Sequence, residues 1–346
     1  MDIESFRGSR LIARVFHNWE RKLAAAAEHR IIRPFEWGLE WIEGVDGKDH
    51  DVADRLAAWA SQTVAASDAF FSLPPSDDFI LSGDRLRFPS AVTTPHPENN
   101  LVEARYFPDF SERGRKRAVV VLPQWNADAE GHVGLCRLLN RFGISALRLS
   151  LPYHDSRMPP ELRRADYIVS SNVGRTAQVC RQAVLDTRRA VAWLAGQGYE
   201  SIGLLGTSLG SCLAMLTAAH EPLVKAAALN HISPYFADVI WEGLSTEHVR
   251  ASLDGQIQLD TLRQIWMPIS PFPYLERVQG KHVLLVYARY DLTFPVALSK
   301  MLVEEFRRRG VHHEVAVLPC GHYSTGKAPF KFLDGYYLSR FLTRNL

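Results

Sequence analysis

From about residue 85 onward, short apolar runs alternate with longer stretches of helical period. The runs at 117–122, 144–149, 201–205, 224–230, 281–287 and 314–318 are rich in Val, Leu, Ile and Ala and carry almost no polar alternation. Strands read this way when both faces of a sheet are covered. Between them, helical patterning recurs around Leu135 to Arg141, over about 175–197 (Val179, Ala183, Val184, Val191, Leu194), after Ser208 and over about 296–309. The earlier runs 86–88 and 101–107 read as strands that are partly exposed. This alternation predicts an α/β chain, with a mostly parallel central sheet and helices on both faces. Functional residues are then expected at the carboxyl ends of the strands.

The first 80 residues have a different texture. Leu11, Ile12, Val15, Phe16, Trp19 and Leu23 recur at helical spacing, as do Val52, Leu56 and Trp59, and Trp37 and Trp41 lie one turn apart. They predict an N-terminal helical extension over 1–80, packed on a main domain of 81–346. The junction falls at Leu73-Pro-Pro-Ser-Asp-Asp78. Arg14, Arg21 and Lys22 flank the first stripe, so the same helices could also meet a membrane surface or form a homo-oligomer with a second copy. The stretch from about 233 to 279 is too long for a simple connection. With Tyr235, Phe236, Trp241, Trp266, Phe272, Tyr274 and four prolines, it is expected to fold as a cap insertion. Trp241 and Trp266 either line an apolar pocket or hold the cap together. The first case favours substrates with a moderately apolar acyl or alcohol part.

Charge and composition exclude several classes. The chain has 346 residues, 47% hydrophobic and 23% charged, with 40 basic against 38 acidic residues, a net charge of +2. That balance gives no footprint for nucleic acid, and the clusters Arg307-Arg-Arg309 and Arg163-Arg164 read as solvated charges. No apolar run approaches the roughly 18 residues of a membrane span. The four cysteines, Cys136, Cys180, Cys212 and Cys320, have neither CxxC nor paired spacing and read as free thiols of a reducing compartment. Residues 1–7 contain Asp2 and Glu4 and no apolar core of a secretion leader. The expectation is a cytoplasmic protein.

The chemistry gathers at three loops. Gly206-Thr-Ser-Leu-Gly210 lies between a strand and a helix, where the glycines let the two backbones pass closely and the serine hydroxyl is exposed. A serine needs a histidine base, and the histidine needs a carboxylate to fix its tautomer. Ala288-Arg-Tyr-Asp-Leu-Thr-Phe-Pro295 and Leu318-Pro-Cys-Gly-His-Tyr-Ser324 each follow a buried strand and offer Asp291 and His322. Asp238 is an alternative acid, and His231, His220 and His282 are alternative bases. His312-His-Glu314 lacks metal-protease spacing, so no metal ligand set is read.

With these residues the chain resembles the α/β-hydrolase superfamily, in its serine esterase and dienelactone-hydrolase-like branches. The resemblance covers roughly 85–346 and leaves the N-terminal extension outside. It implies Ser208 as nucleophile, Asp291 as the acid and His322 as the base, with Leu209 and Trp125 supplying oxyanion-hole N–H groups. Leu122-Pro-Gln-Trp-Asn126 stands where a His-Gly pair is usual, and Cys320 where glycine is common. The implied activity is cleavage of a carboxylic ester of a small-molecule acyl substrate through an acyl-enzyme, without cofactor. Acyl transfer, thioester or peptide cleavage would use the same triad, and a non-catalytic binding protein of this fold is the reading from another class.

Overall fold

The computed structural model describes residues 3–45, 51–110 and 116–346, with side chains from residue 10 onward, so residues 1–7 fall outside the described side chains. Among the described residues nine strands form one sheet. They are β1 (Ile80–Ser82), β2 (Arg85–Pro89), β3 (Leu101–Phe107), β4 (Arg117–Leu122), β5 (Ser145–Leu149), β6 (Ser201–Thr207), β7 (Val224–Asn230), β8 (His282–Ala288) and β9 (Glu314–Leu318). Their order is β1-β2-β3-β5-β4-β6-β7-β8-β9. The first three are antiparallel and β3 joins β5 antiparallel, whereas every pairing from β5 to β9 is parallel. The mostly parallel sheet predicted from the apolar runs is the one observed.

The helices are α1 (Ile3–Ala25), α2 (Val52–Ala65), α3 (Ser67–Phe70), α4 (Val133–Arg141), α5 (Val173–Gly196), α6 (Leu209–His220), α7 (Phe236–Glu242), α8 (Glu247–Leu253), α9 (Leu259–Ile265), α10 (Val296–Arg308) and α11 (Phe330–Asn345). Side chains alternate across the sheet. Val119 and Val121 of β4 share a core with Cys136 and Leu139 of α4 and Leu338 and Phe341 of α11. Val120 and Leu122 enter the opposite core, with Val184 of α5, Leu213 of α6 and Phe306 of α10. Because both faces are dry, β4 is apolar at every position after Arg117, and each buried Val or Leu contributes about 1.5–3 kcal/mol of burial. No helix among the described residues is long and apolar enough to cross a membrane.

The N-terminal stripe has the predicted period and is split, with Phe16 and Trp19 packed on Tyr290 and Phe330, and Leu11, Ile12 and Val15 toward solvent. Leu11, Ile12 and Val15 are 65%, 49% and 60% exposed, while Glu20 is fully buried beside Ala24. Phe16 stacks on Tyr290 with ring centroids 4.6 Å apart. The helix is oriented by what Glu20 binds, described below, and not by its apolar count. β1 escaped the reading because all three of its residues are exposed and carry no pattern. Residues 233–279 fold as α7, α8 and α9 with short 3-10 turns. Trp266 there is fully buried, donates Nε1–H to the Val173 carbonyl at 3.0 Å, and meets Phe236 edge-on.

One buried ion pair ties the early strands to the parallel core. The Arg157 guanidinium, wholly inaccessible, donates to the Asn99 and Ser150 carbonyls and to Asp186 Oδ2 at 2.8 Å. Asp186, on α5, also accepts from Ser90 Oγ and the Ala91 N–H. Deleting one charge leaves the other unpaired in a dry site, which typically costs about 3–5 kcal/mol. Arg157→Ala is therefore expected to lose that amount in urea unfolding. A loss under about 1 kcal/mol would show that the pair does not anchor this layer.

Candidate active site

Since β4 to β9 run parallel, the loops after them all open at one edge of the sheet. The sharpest is the β6–α6 turn. Ser208 sits there at φ 57°, ψ −120°, a conformation that a residue with a Cβ adopts at a cost of about 1–3 kcal/mol. Its surroundings hold it in place. The Ser208 N–H donates to the Asn230 carbonyl at 2.8 Å, and Ser211 returns its N–H and its hydroxyl to the Ser208 carbonyl at 2.8 and 2.6 Å. A Cβ on Gly206 would lie 2.1 Å from the Gly210 carbonyl oxygen, and one on Gly210 would lie 2.2 Å from that of Leu122. The two glycines therefore let the first turn of α6 press against the ends of β6 and β4.

Asp291, in the loop after β8, is 4% exposed. Its Oδ1 accepts the N–H groups of Thr293 and Phe294 at 2.8 and 2.7 Å. Its Oδ2 is shared by two imidazoles, His231 Nδ1 at 2.8 Å and His322 Nδ1 at 3.0 Å. Burial alone would raise this carboxyl, but the charge of His322 and the hydrogen bonds from both histidines outweigh it and hold Asp291 well below the usual carboxylate range. His322 lies flat against Phe294, with ring planes 5° apart. His231, after β7, has a positive φ of 57° and an Nε2 that is buried without a partner. The rival His231 thus converges on the same carboxylate. The other rivals do not: both oxygens of Asp238 accept from one edge of the Arg263 guanidinium, His220 bonds the Leu216 carbonyl, and His282 opens β8 at its amino end.

The turn after β4 is fixed from two sides. Trp125 Nε1–H donates to the Ala165 carbonyl, and the Ala165 N–H donates to Asn126 Oδ1. The Asn126 N–H donates to His154 Nε2 at 2.9 Å, while His154 Nδ1 faces the Pro152 carbonyl. That pattern requires neutral His154, and burial pushes it down to about 4. Trp125 stacks on His248, its ring 4° from parallel, under the Arg164 guanidinium. Arg164 is thus packed on the site's aromatic wall and is not the freely solvated charge that its sequence neighbours suggest.

Nothing in the local sequence pattern pointed to Glu20. This side chain of α1 accepts the N–H groups of Tyr323 and Ser324 at 2.8 and 2.9 Å, the two amides that follow His322. A Cβ on Gly321 would meet the Glu20 carboxyl carbon at 2.3 Å. The glycine before His322 makes room for a glutamate more than 300 positions away in the chain.

Two cavities meet at Ser208. The larger, about 1050 Å³, takes in Trp125, Ser208, His231 and His322 in its wall. The smaller, about 40 Å³, is lined by Ser208, Leu209, Cys212, Phe236, Ile240 and Phe294 among others. Trp241 and Trp266 line neither. All four cysteines are free and buried.

No protein-family model matches this chain, and no curated protein matches it. Solved structures do. The chain is similar to the Pyrococcus horikoshii acylaminoacyl peptidase with a TM-score of 0.60 at 14% identity, over 78% of this chain and 42% of the peptidase, so it spans about two fifths of that protein. It is similar to acetyl xylan esterase 1 from a Thermoanaerobacterium species with a TM-score of 0.56 at 13% identity, over 93% and 98% of the two chains. It is similar to an esterase from Pyrococcus furiosus with a TM-score of 0.53 at 13% identity, over 91% and 98%. The fold is that of the α/β-hydrolases.

Two expectations follow from this geometry. Burial pushes His132, His154, His220 and His248 each down to about 4. The unfolded chain, with histidines near 6.5, then binds more protons than the folded one between about pH 6.5 and 4. Stability present above pH 6.5 is lost as pH falls through that window. Urea midpoints should drop steadily from pH 7 to pH 4, and a flat series would contradict the buried neutral imidazoles. Separately, Glu20→Ala should speed hydrogen exchange at the Tyr323 and Ser324 amides, with β6 left protected. Unchanged exchange there would mean that Glu20 does not hold the loop.

Proposed function

We propose that the chain is a serine hydrolase that cleaves a carboxylic ester, with Ser208, His322 and Asp291 as the triad. The carrying observation is that Ser208, at a strained strand-to-helix turn, faces one cavity with His322, whose far nitrogen meets a buried carboxylate. Ser208 Oγ attacks the acyl carbon as His322 Nε2 takes its proton. Asp291 holds the Nδ1–H tautomer and stabilises the imidazolium. The oxyanion is met by the N–H of Leu209 at the start of α6 and by that of Trp125, since the Asn126 amide is already committed to His154. His322 then protonates the departing alcohol. In the second half it deprotonates water, which attacks the acyl-serine and releases the acid. His231 is assigned to positioning, since its donation to the same oxygen keeps Asp291 ionised and fixed.

The fold of the peptidase and esterase neighbours supports hydrolysis in general, and the choice of an ester over a thioester or amide is part of the proposal. Ser208→Ala should abolish turnover of p-nitrophenyl esters and fluorophosphonate labelling while the protein stays folded, a loss on the order of 10⁴–10⁶. His322→Ala should behave alike, and His231→Gln should cost kcat far less. Esterase activity surviving in folded Ser208→Ala would sink the mechanism. Activity that vanishes with EDTA would point instead to a metal held by His231, Asp291 and His322, whose ligand atoms lie within 4.8 Å of one another.

A further inference from the structure

The wall of the large cavity is unevenly charged. It carries Arg30, Arg137, Arg141, Arg164 and Lys331 against one acid, Asp334. The chain as a whole is nearly balanced, at +2, so this is a local excess and not a sample of a basic surface. It is also poorly compensated. Arg164 has Asp166 as its acid at 3.3 Å, and Arg33 draws on the same carboxylate at 3.6 Å. Arg30 makes one hydrogen bond, to the Tyr323 hydroxyl, and its Nε is buried without a partner. Burial first, and then the neighbouring Arg30, pull Arg164 below its ordinary value despite Asp166. Asp334 itself is pushed up to about 6 by burial, which weakens the cavity's one negative charge. A fold gains nothing from crowding guanidiniums beside a cleft unless something negative enters it.

The two cavities also differ in which step each can serve. The histidine that protonates the departing alcohol must stand beside it. His322 lines the large cavity and not the small one. The alcohol part therefore lies in the large, cationic space, and the acyl part enters the small apolar one. A volume of about 40 Å³ admits a group of a few heavy atoms, since one water occupies about 10–15 Å³ on this measure.

We infer that the substrate is a short-chain acyl ester of an alcohol that bears an anionic group, a carboxylate or a phosphate, received by Arg30 and Arg164 close to the scissile bond. This rests on the hydrolase reading above and narrows its substrate. Arg137, Arg141 and Lys331, further out on α4 and at the start of α11, attract the anion from solution.

The test compares matched esters with one acyl group. 4-Acetoxybenzoate and its neutral methyl ester form the carboxylate arm. Acetylated glycerol 3-phosphate and acetylated glycerol form the phosphate arm, and the larger preference names the group. In one arm at least, kcat/KM should favour the anionic ester about ten-fold or more, as expected for a charge-assisted hydrogen bond. The preference should arise mainly in KM and shrink from 20 mM to 500 mM NaCl. Arg30→Gln and Arg164→Gln should each pull the ratio toward one, while Arg307→Gln, at an exposed position of α10 that lines neither cavity, leaves it in place. Extending the acyl chain from acetyl to octanoyl should lower kcat/KM. Equal rates for anionic and neutral esters in both arms, or a preference for a cationic choline ester, would overturn the inference while leaving the hydrolase reading intact. If Ser208 takes no fluorophosphonate label and no ester turns over, the hydrolase reading fails. Calorimetric titration with 4-hydroxybenzoate and with glycerol 3-phosphate then decides the anion site alone. Binding weakened by Arg30→Gln supports it, and no binding of either overturns it.

Discussion

Everything at this site depends on how closely one helix approaches one sheet. The first turn of α6 rests against the carbonyl ends of β6 and β4 at distances that leave no room for a Cβ on Gly206 or Gly210. That approach forces the left-handed backbone at Ser208 and sets the free N–H groups at the start of α6 beside the turn that carries Trp125. The strain is a small fraction of what the surrounding core returns, with Val120, Leu122, Leu204 and Leu213 fully buried in one cluster. Any larger residue at either glycine would move the helix outward, and the serine, the free N–H groups at the start of α6 and the small apolar pocket would separate together.

The second constraint is electrostatic. A buried carboxylate is costly unless its lone pairs are filled, and Asp291 fills them with two backbone N–H groups and two imidazoles. The same accounting explains α1. The loop that carries His322 has two amides facing the protein interior, and Glu20 satisfies both. The N-terminal segment thus contributes one buried acid to the histidine loop and, through Arg30, one cation to the cavity wall.

Much of the architecture was legible in the chain because a sheet covered on both faces needs unbroken apolar strands, and six such runs correspond to β4 to β9. Ser208, Asp291 and His322 were legible because each follows such a strand and so reaches the same edge. The small antiparallel β1 was silent, with its side chains all in solvent. The apolar stripe of α1 did not mark which side of the helix would be buried. Apolar periodicity reports which face can be buried, and here a glutamate with two waiting amides decided it. His154 and Glu20 act by accepting hydrogen bonds from backbone amides distant in sequence, and nothing in local spacing marks such partners. Arg164 read as a surface charge because its packing on Trp125 exists only in three dimensions.

The histidines around the site complete the argument about charge. His132, His154 and His248 are kept uncharged at neutral pH chiefly by burial, with nearby arginines opposing protonation as well. A protonated His154 could no longer accept the Asn126 amide, and the Trp125 turn would loosen. The arginines, by contrast, keep their charge throughout the physiological range. The cationic side of the field in the large cavity is therefore set by groups that do not titrate there, and His132, His154 and His248 are buried as neutral hydrogen-bonding or stacking partners. That separation of permanent cations from neutral structural histidines rests in part on the aromatic packing of Trp125, whose ring stacks on the His248 imidazole and also carries the Arg164 guanidinium.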